Sequence, residues 1–333
     1  MTATSAAPVG AQLRHWRMRR RLSQLELALA ADVSTRHLSC LETGRAAPSR
    51  EMVLRLARRL DVPLRERNGL LTAAGFAPMF AARPLDDPAM AAARAVVERV
   101  LRAHEPFPAL AVDRHWNVVV QNRAVALLLD GVAPDLLDGT INALRLSLHP
   151  RGMAPRIVNL AAWRAHVLAR LRQQILASDD GTLRALEEEL AAYPVPGDAA
   201  QGPRPAGGEP ALVVPLVVDS ALGRLSFIST TTVFGTPVDV TLAELALESF
   251  FPADAATTAA LRAAFAALPA PTPAERGAGR RSTAGALPAQ AVAGTRSRKP
   301  MTRAILPSRR ARTSLPSIGG STPAGPSDQE KRT

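Results

Sequence analysis

The sequence has little of several features that would indicate particular classes of protein. A single cysteine, Cys40, stands in 333 residues, which rules out an intramolecular disulfide and fits a reducing compartment. No apolar run reaches the roughly 18–20 residues that a membrane-spanning helix needs, and no signal peptide precedes the first helical pattern. We therefore expect a soluble, cytoplasmic protein.

The patterns of common catalytic and metal sites are also missing. The six histidines lack paired metal spacing, and one cysteine excludes a thiolate cluster. No GxGxxG, P-loop or GxSxG pattern occurs. The sequence therefore predicts no catalytic residue, no metal and no cofactor, and an enzyme is the third-ranked class of function.

Positive charge is spread unevenly along the chain. Residues 1–80 carry 13 Arg and 6 acids, a net charge of +7, whereas residues 81–270 carry a net charge of −4. Residues 271–333 carry a net charge of +9 and have the composition of a segment that does not fold. The N-terminal excess indicates phosphate binding. The tail either adds salt-dependent, non-specific DNA affinity or is a solvated appendage without a role.

Two short helical patterns meet across a four-residue break within residues 23–41. The first begins with a capping box, in which Ser23 and Glu26 can satisfy backbone N–H groups of the first turn. The second begins at Ser34, another N-cap residue. Between them Asp32 tolerates the left-handed backbone that a tight turn needs. This stretch predicts a helix-turn-helix, although similar helix pairs also occur in other bundles.

The spacing of the second helix predicts which side chains face outward. If Leu38 and Leu41 point into the core, the opposite face can enter the major groove of DNA and contact base edges. The residues that we predict for this face are Ser34, Thr35, Arg36, His37, Ser39 and Cys40. Cys40 is interpreted as a small residue of suitable size, with a redox switch as the alternative. Gln24, and Arg17 in the basic run that ends the first helix, are predicted to meet phosphates.

Residues 9–76 resemble the five-helix DNA-binding domain of the Xre/Cro repressor family. The segment from Glu42 to Arg45 is similar to that family's Glu-x-Gly-basic exit from the recognition helix, which adds Arg45 to the predicted DNA contacts. Asp32 departs from the family, where glycine is commonest. Other positions that match the family are Ala28, Val33, Leu38, Leu41, Pro48, Leu54, Leu56, Ala57 and Leu60.

Beyond a proline-containing segment at 77–88, the hydrophobic period changes from helical to alternating. Residues 108–122 hold two short apolar runs around a turn, and residues 211–235 hold two β-branched runs around another. Each pattern is typical of a β-hairpin. A helix over 122–129 is expected after the first hairpin.

Helical patterns fill the space between and after these hairpins. Two amphipathic helices are predicted at about 160–177 and 183–192, followed by a Pro- and Gly-rich loop at 194–210. A capping box formed by Thr241 and Glu244 predicts a further helix that runs to about residue 250. We expect an α+β domain in which helices cover one face of an antiparallel sheet.

Three stretches of this second region, 104–122, 149–153 and 230–254, resemble the ligand-binding domain of MmyB-like transcription regulators. That resemblance implies a PAS-like fold and a sensor of a small apolar molecule, with fatty-acid-like ligands suggested for such domains. The aromatic residues proposed to line the cavity are Trp116, Trp163, Phe227 and Phe234. His149 and Arg151 are proposed to hold a carboxylate head group. The alternatives are ordinary core positions for the aromatics and a surface loop for this pair.

We therefore expect four segments: a helix-turn-helix domain at 1–80, a connector helix at 81–103, a PAS-like ligand-binding domain at 104–265 and a disordered basic tail at 266–333. The predicted function is a ligand-responsive, sequence-specific transcription regulator that binds a double-stranded DNA operator as a homodimer in the nucleoid. The alternative is a protein-interaction adaptor or antitoxin-like partner in which DNA binding is secondary.

Overall fold

Five α-helices build the N-terminal part of the protein. The computed structural model describes residues 7–194 and 213–269, so most of the predicted basic tail and of the Pro- and Gly-rich loop lies outside the described residues. The helices are α1 (Val9–Arg19), α2 (Gln24–Ala31), α3 (Thr35–Glu42), α4 (Arg50–Arg59) and α5 (Leu64–Ala73).

The predicted capping box and turn are present in this bundle. The Ser23 hydroxyl accepts a hydrogen bond from the Glu26 backbone N–H at 3.1 Å, and the Glu26 carboxylate accepts one from the Ser23 N–H at 2.6 Å. Asp32 follows α2 with φ of 54°, the left-handed conformation that the turn requires. Leu38 and Leu41 are fully buried in the bundle core. The five-helix architecture is thereby confirmed.

A five-stranded antiparallel sheet forms the centre of the second region. Its strands are β1 (Ala109–Val112), β2 (Val118–Gln121), β3 (Leu216–Ser220), β4 (Gly223–Val233) and β5 (Ala246–Pro252). They lie in the order β2-β1-β5-β4-β3, and all neighbouring pairs are antiparallel. Both predicted hairpins are present, and β5 joins them by pairing with β1 on one side and β4 on the other.

The helix predicted from Thr241 to about residue 250 is wrong beyond its first turn. A short helix, α10 (Val240–Ala243), is capped by the Asp239 side chain, and the chain then extends into β5. Local capping chemistry favours a helix start there, but each hairpin leaves an edge strand with unpaired backbone groups. Pairing of residues 246–252 along both edges outweighs the local signal. The segment predicted as a helix at 122–129 is a 3-10 helix, Arg123–Leu128.

Helices lie against both faces of the sheet. The remaining α-helices are α6 (Ala91–Ala103), α7 (Ala143–Leu148), α8 (Leu160–Ser178), α9 (Gly181–Ala192) and α11 (Ala255–Ala266). Side chains of β1 alternate in direction. Ala109 and Ala111 pack in one cluster with α6, whereas Val112 belongs to the cluster that contains α8 and α9. The helices expected on one face are present there, and the connector segment adds α6 on the other.

Candidate functional site

The outer face of α3 carries most of the residues predicted to read DNA. Arg36 and His37 are exposed, while Thr35, Ser39 and Cys40 are half-buried at the edges of the same face. Within the described parts of the chain, the Arg36 side chain has no hydrogen-bond partner. Because Leu38 and Leu41 anchor the opposite face, this surface is open to a groove-sized partner.

The flanking positions are held by local contacts. The Ser34 hydroxyl accepts from the His37 backbone N–H at 3.1 Å and so caps α3. Arg45 is exposed just beyond the helix, where its Nε donates to the Thr43 hydroxyl at 3.0 Å. Both residues lie beside the α3 surface, and their contacts with DNA stay predictions.

Arg17 does not lie on this surface, and the predicted phosphate contact for it is wrong. Its side chain is buried against Glu42, with Nε and Nη2 donating to the two carboxylate oxygens at 2.6 and 2.9 Å. A third donor, Nη1, bonds the Leu22 carbonyl at 2.8 Å. Gln24, also predicted to meet a phosphate, is half-buried and donates to Glu42 at 2.8 Å. These contacts tie α1 and α2 to the end of α3.

The Glu42 carboxylate stays charged in this network. Burial raises its pKa, but the hydrogen bonds from Arg17 and Gln24 and the charge of Arg17 outweigh burial and bring the pKa below its ordinary value. The charged Glu42 carboxylate holds the Arg17 guanidinium in the protein interior through two hydrogen bonds. The position of the recognition helix therefore depends on a buried ion pair.

A partly enclosed cavity of about 90 Å³ lies between the sheet and α8. Its walls are mostly apolar and come from β1, β2, β5, the 3-10 helix Arg123–Leu128, α7 and α8. Representative lining side chains are Leu110, Val118, Leu128, Leu144, Val167 and Phe250. Its apolar lining suits an apolar guest.

The predicted residues Trp116 and Trp163 both line this cavity. Trp163 Nε1 donates to the Ser147 hydroxyl at 2.9 Å, and Trp116 Nε1 donates to Gln174 at 2.7 Å. Their polar N–H groups are thus satisfied, and the rings present apolar faces.

Trp116 reaches the cavity from a strained turn between β1 and β2. Its φ is 68°, a left-handed conformation that is unfavourable for a bulky residue. The Asp113 carboxylate fixes the turn by accepting from the backbone N–H groups of His115 and Asn117, at 2.8 and 2.9 Å. The turn therefore aims the indole into the domain.

Neither predicted phenylalanine lines the cavity. Phe227 is fully buried and meets Phe250 edge to face, with ring centroids 6.3 Å apart, so it lies behind the wall that Phe250 forms. Phe234 packs in the cluster on the α6 side of the sheet. The assignment of both to the lining is wrong because residue type does not determine position: Phe227 packs on the cavity's face of the sheet but behind Phe250, and Phe234 follows the end of β4 and packs on the opposite face.

His149 and Arg151 also lie away from the cavity. Arg151 is exposed and forms an ion pair with Asp135 at 2.6 Å. The His149 ring accepts from the Arg151 backbone N–H at 3.0 Å and packs against Tyr193. They form a surface loop, so the proposed head-group role is wrong for this cavity.

The charged residues that line the cavity, Arg170 and Glu248, are not among those that the sequence patterns predict. Arg170 on α8 donates to both oxygens of Glu248 on β5, at 2.5 and 3.1 Å, and the Thr231 hydroxyl donates to the same carboxylate at 2.8 Å. The Arg170 guanidinium lies 4.5 Å from the centroid of the Trp116 ring, a cation–π contact. The available sequence signal is a glutamate in the mostly apolar run ALESFFP, where the capping box predicts a helix.

His166 on α8 adds a neutral polar group to the wall. Burial lowers its pKa, the charge of Arg170 lowers it further, and Glu248 acts in the opposite direction. The resulting pKa lies below the ordinary value, so the ring is uncharged at neutral pH. Arg170 and Glu248 are then the charged groups among the lining residues that the structure describes.

Two further observations concern residues 7–194 and 213–269. They contain no group of three or more His, Cys, Asp or Glu side chains placed to hold a metal ion. None of their helices is long and apolar enough to cross a membrane.

Comparison with known proteins matches each of the two regions to a family model. Residues 8–70 match the model of a helix-turn-helix domain. Residues 93–264, more than half of the chain, match the model of the MmyB-like transcription regulator ligand binding domain. No curated protein gives a significant match. The chain therefore belongs to the MmyB-like family of transcription regulators, in which it joins a DNA-binding helix-turn-helix domain to a ligand-binding domain.

Proposed function

We propose that this regulator binds its operator as a homodimer through α3, and that a small apolar molecule in the cavity changes its affinity for the operator. The observation that supports this most directly is the partly enclosed apolar cavity within the family's ligand-binding domain. The exposed face of α3, on which Arg36 has no hydrogen-bond partner among the described residues, supports the proposed DNA-reading role.

The size of the cavity narrows the ligand class. At about 90 Å³ it is smaller than the roughly 300–1,000 Å³ of typical ligand pockets. A short, fatty-acid-like hydrocarbon chain suits its apolar walls. A longer chain requires lining side chains to move, and ligand binding then selects a wider conformation of the domain.

Helix α8 joins the cavity to the DNA-binding domain. Trp163 and Arg170 on α8 line the cavity, and Asp179 caps the far end of the same helix. Asp179 bonds two residues of α1, Arg19 at 2.6 Å and His15 at 2.7 Å. A shift of α8 on ligand binding would therefore reach α1.

Arg19 makes further contacts with α8. Its Nη2 donates to the carbonyl oxygens of Ile175 and Leu176, at 3.0 and 2.6 Å, near the negative end of the helix dipole. A second link joins Arg65 of α5 to Glu244 by two bonds of 2.8 Å. Glu244 stands two residues before β5, the strand that carries Glu248. The DNA-binding domain thus contacts α8, which carries Arg170, and the residue two positions before β5, which carries Glu248.

The homodimer is proposed from the geometry of helix-turn-helix regulators. Two copies of α3 would meet successive major grooves at half-sites about one helical turn apart, on an inverted repeat. A change in the relative position of α1 and α8 would then alter the spacing of the two recognition helices and so the operator affinity.

Native mass spectrometry of the full chain tests ligand and dimer together. The expected spectrum shows a dimer with an added mass of at most a few hundred daltons per chain, which disappears on denaturation. Operators selected from random duplexes by the same preparation should contain an inverted repeat. A monomer that selects no DNA sequence and co-purifies with a stoichiometric protein partner would contradict the proposal and favour the adaptor alternative.

A further inference from the structure

The two charged side chains of the cavity wall, Arg170 and Glu248, form a bidentate ion pair with each other. Arg170 and Glu248 face each other at 2.5 and 3.1 Å, and the Thr231 hydroxyl completes the coordination of the carboxylate. The Glu248 side chain is only 6% exposed and that of Arg170 26% exposed. One positive and one negative charge therefore balance at the wall, and His166 adds none.

We propose that the cavity selects ligands whose polar end is uncharged, such as an alkyl alcohol or a primary amide, over the corresponding carboxylates. This inference rests on the proposed function, because it takes the cavity as the ligand site. It differs from the carboxylate head group that was expected at His149 and Arg151, which lie elsewhere.

A carboxylate ligand would enter a site that already holds one. It could reach the guanidinium of Arg170 only by approaching the negative charge of Glu248 or by separating the existing pair. Within a mostly apolar enclosure, the loss of hydration of the incoming carboxylate would have no unpaired cation to offset it. Among the lining residues that the structure describes, Arg170 is the only cation.

An uncharged polar group meets no such opposition. A hydroxyl or amide can donate to a Glu248 oxygen and accept from an Arg170 N–H without changing the net charge of the wall. The apolar walls, including the faces of Trp116 and Trp163, then cover the hydrocarbon part of the ligand. The Arg170–Glu248 pair thus orients the ligand through hydrogen bonds and, through its charges, favours uncharged ligands over carboxylates.

Two probes of equal chain length, 1-octanol and octanoate, separate charge from size. Binding to the full-length protein at about neutral pH is followed by calorimetry and by the fluorescence of Trp116 and Trp163. We expect 1-octanol to bind at least about tenfold more tightly than octanoate, which is the effect of a single close charge pair. Octanoate binding as tightly as 1-octanol, or more tightly, would overturn the inference and leave the ligand-sensing function intact.

Glu248→Gln changes the net charge of the wall from zero to +1 at nearly constant shape. Arg170 is then unpaired, and octanoate should gain about tenfold or more in affinity relative to 1-octanol. The matched control is Asp219→Asn, which breaks an exposed ion pair with Arg224 on the β3–β4 hairpin and should leave both affinities unchanged. An unchanged preference in folded Glu248→Gln would overturn the inference.

A second variant covers the case in which Glu248→Gln does not fold. Arg170→Gln leaves the negative charge alone, so the preference for 1-octanol over octanoate should increase; a rise in octanoate affinity overturns the inference. If neither probe binds the wild type or a folded variant, the proposed ligand site itself fails, and the inference fails with it.

Discussion

The two domains each contain an Arg–Glu pair with a buried carboxylate, and the pairs differ in what surrounds them. Arg17 and Glu42 lie between packed helices, with side chains 11% and 1% exposed, and Gln24 and a backbone carbonyl complete their hydrogen bonds. Arg170 and Glu248 have the same bidentate geometry, but one side of that pair faces a partly enclosed cavity.

This difference separates a positioning contact from a recognition contact. Arg17 and Glu42 bond other groups of the protein and line neither described pocket, so the pair holds α1, α2 and α3 in place. Beside Arg170 and Glu248 a guest molecule can approach, so the same chemistry can discriminate between guests. Of the two pairs, the one that borders the cavity is therefore the one that we propose to contact a ligand.

The largest expected effect comes from breaking the Arg17–Glu42 pair, which lies between packed helices. Glu42→Ala leaves the Arg17 charge buried without a partner and should lower the free energy of unfolding by about 3–5 kcal/mol. Urea unfolding followed by circular dichroism measures this. The double variant Arg17→Met with Glu42→Leu removes both charges and should recover most of the loss. Equal destabilisation of the single and double variants would show that lost packing, and not an unpaired charge, is responsible.

A smaller effect is expected where α3 presents side chains outward. Arg36→Ala should weaken operator binding by about 1–3 kcal/mol and relax the preference at one base pair, without lowering stability. Arg59→Ala, which removes an equal charge from the exposed end of α4, is the matched control and should keep the base preference. Fluorescence anisotropy on single-base operator variants gives both quantities. A base preference that Arg36→Ala leaves intact would assign the reading role elsewhere.

The two regions also differ in how far sequence predicts them. Signals of the helix bundle are local: Ser23 and Glu26 are three residues apart, and Asp32 forms the turn that its own backbone tolerance favours. Even the misassigned Arg17 carried a local signal. It follows Leu13 and Trp16 at helical spacing on the buried face, which indicates an inward position that the neighbouring basic run concealed.

The cavity depends on contacts between distant parts of the chain. Glu248 meets Arg170 because β5 pairs with both hairpins, and no spacing within 240–252 encodes that pairing. The capping box of Thr241 and Glu244 predicts a helix over this segment and gives no indication that Glu248 faces Arg170. The aromatic residues show the same limit, since Trp116 and Trp163 line the cavity, whereas Phe227 packs behind Phe250 on the same face and Phe234 packs on the opposite face.

Contacts between the domains are expected to have an effect of about 1 kcal/mol on ligand response. Asp179→Asn keeps a residue that tolerates the left-handed cap but removes the charge that holds Arg19. If α8 transmits occupancy of the cavity, the change in operator affinity on adding 1-octanol, about fivefold or more in the wild type, should fall towards none. Operator affinity without ligand should change little.

The control for this coupling is Asp135→Asn, which breaks the exposed pair with Arg151 at a distance from α1. It should retain the full response to 1-octanol. A response preserved in Asp179→Asn as well would mean that the cavity communicates with α3 by another route, such as the contact between Arg65 and Glu244.

The smallest effect is expected from a third Arg–Glu pair, which shares the geometry of the other two without their burial. Arg145 donates two bonds of 2.7 Å to Glu189, and the side chains are 40% and 37% exposed. The hydrogen bond from Arg145, opposed by partial burial and assisted by the Tyr193 hydroxyl, lowers the pKa of Glu189 to about 2.

Because this folded pKa lies below the ordinary value of 4.5, the pair stabilises the protein fully above about pH 4.5 and loses that contribution as the pH falls towards about 2. Solvent screening limits the contribution to about 1 kcal/mol or less. Glu189→Gln should therefore unfold slightly more easily than the wild type at about pH 7, and the difference should vanish near pH 2. A loss as large as that of Glu42→Ala would mean that bidentate geometry, and not burial, determines how strongly these pairs act.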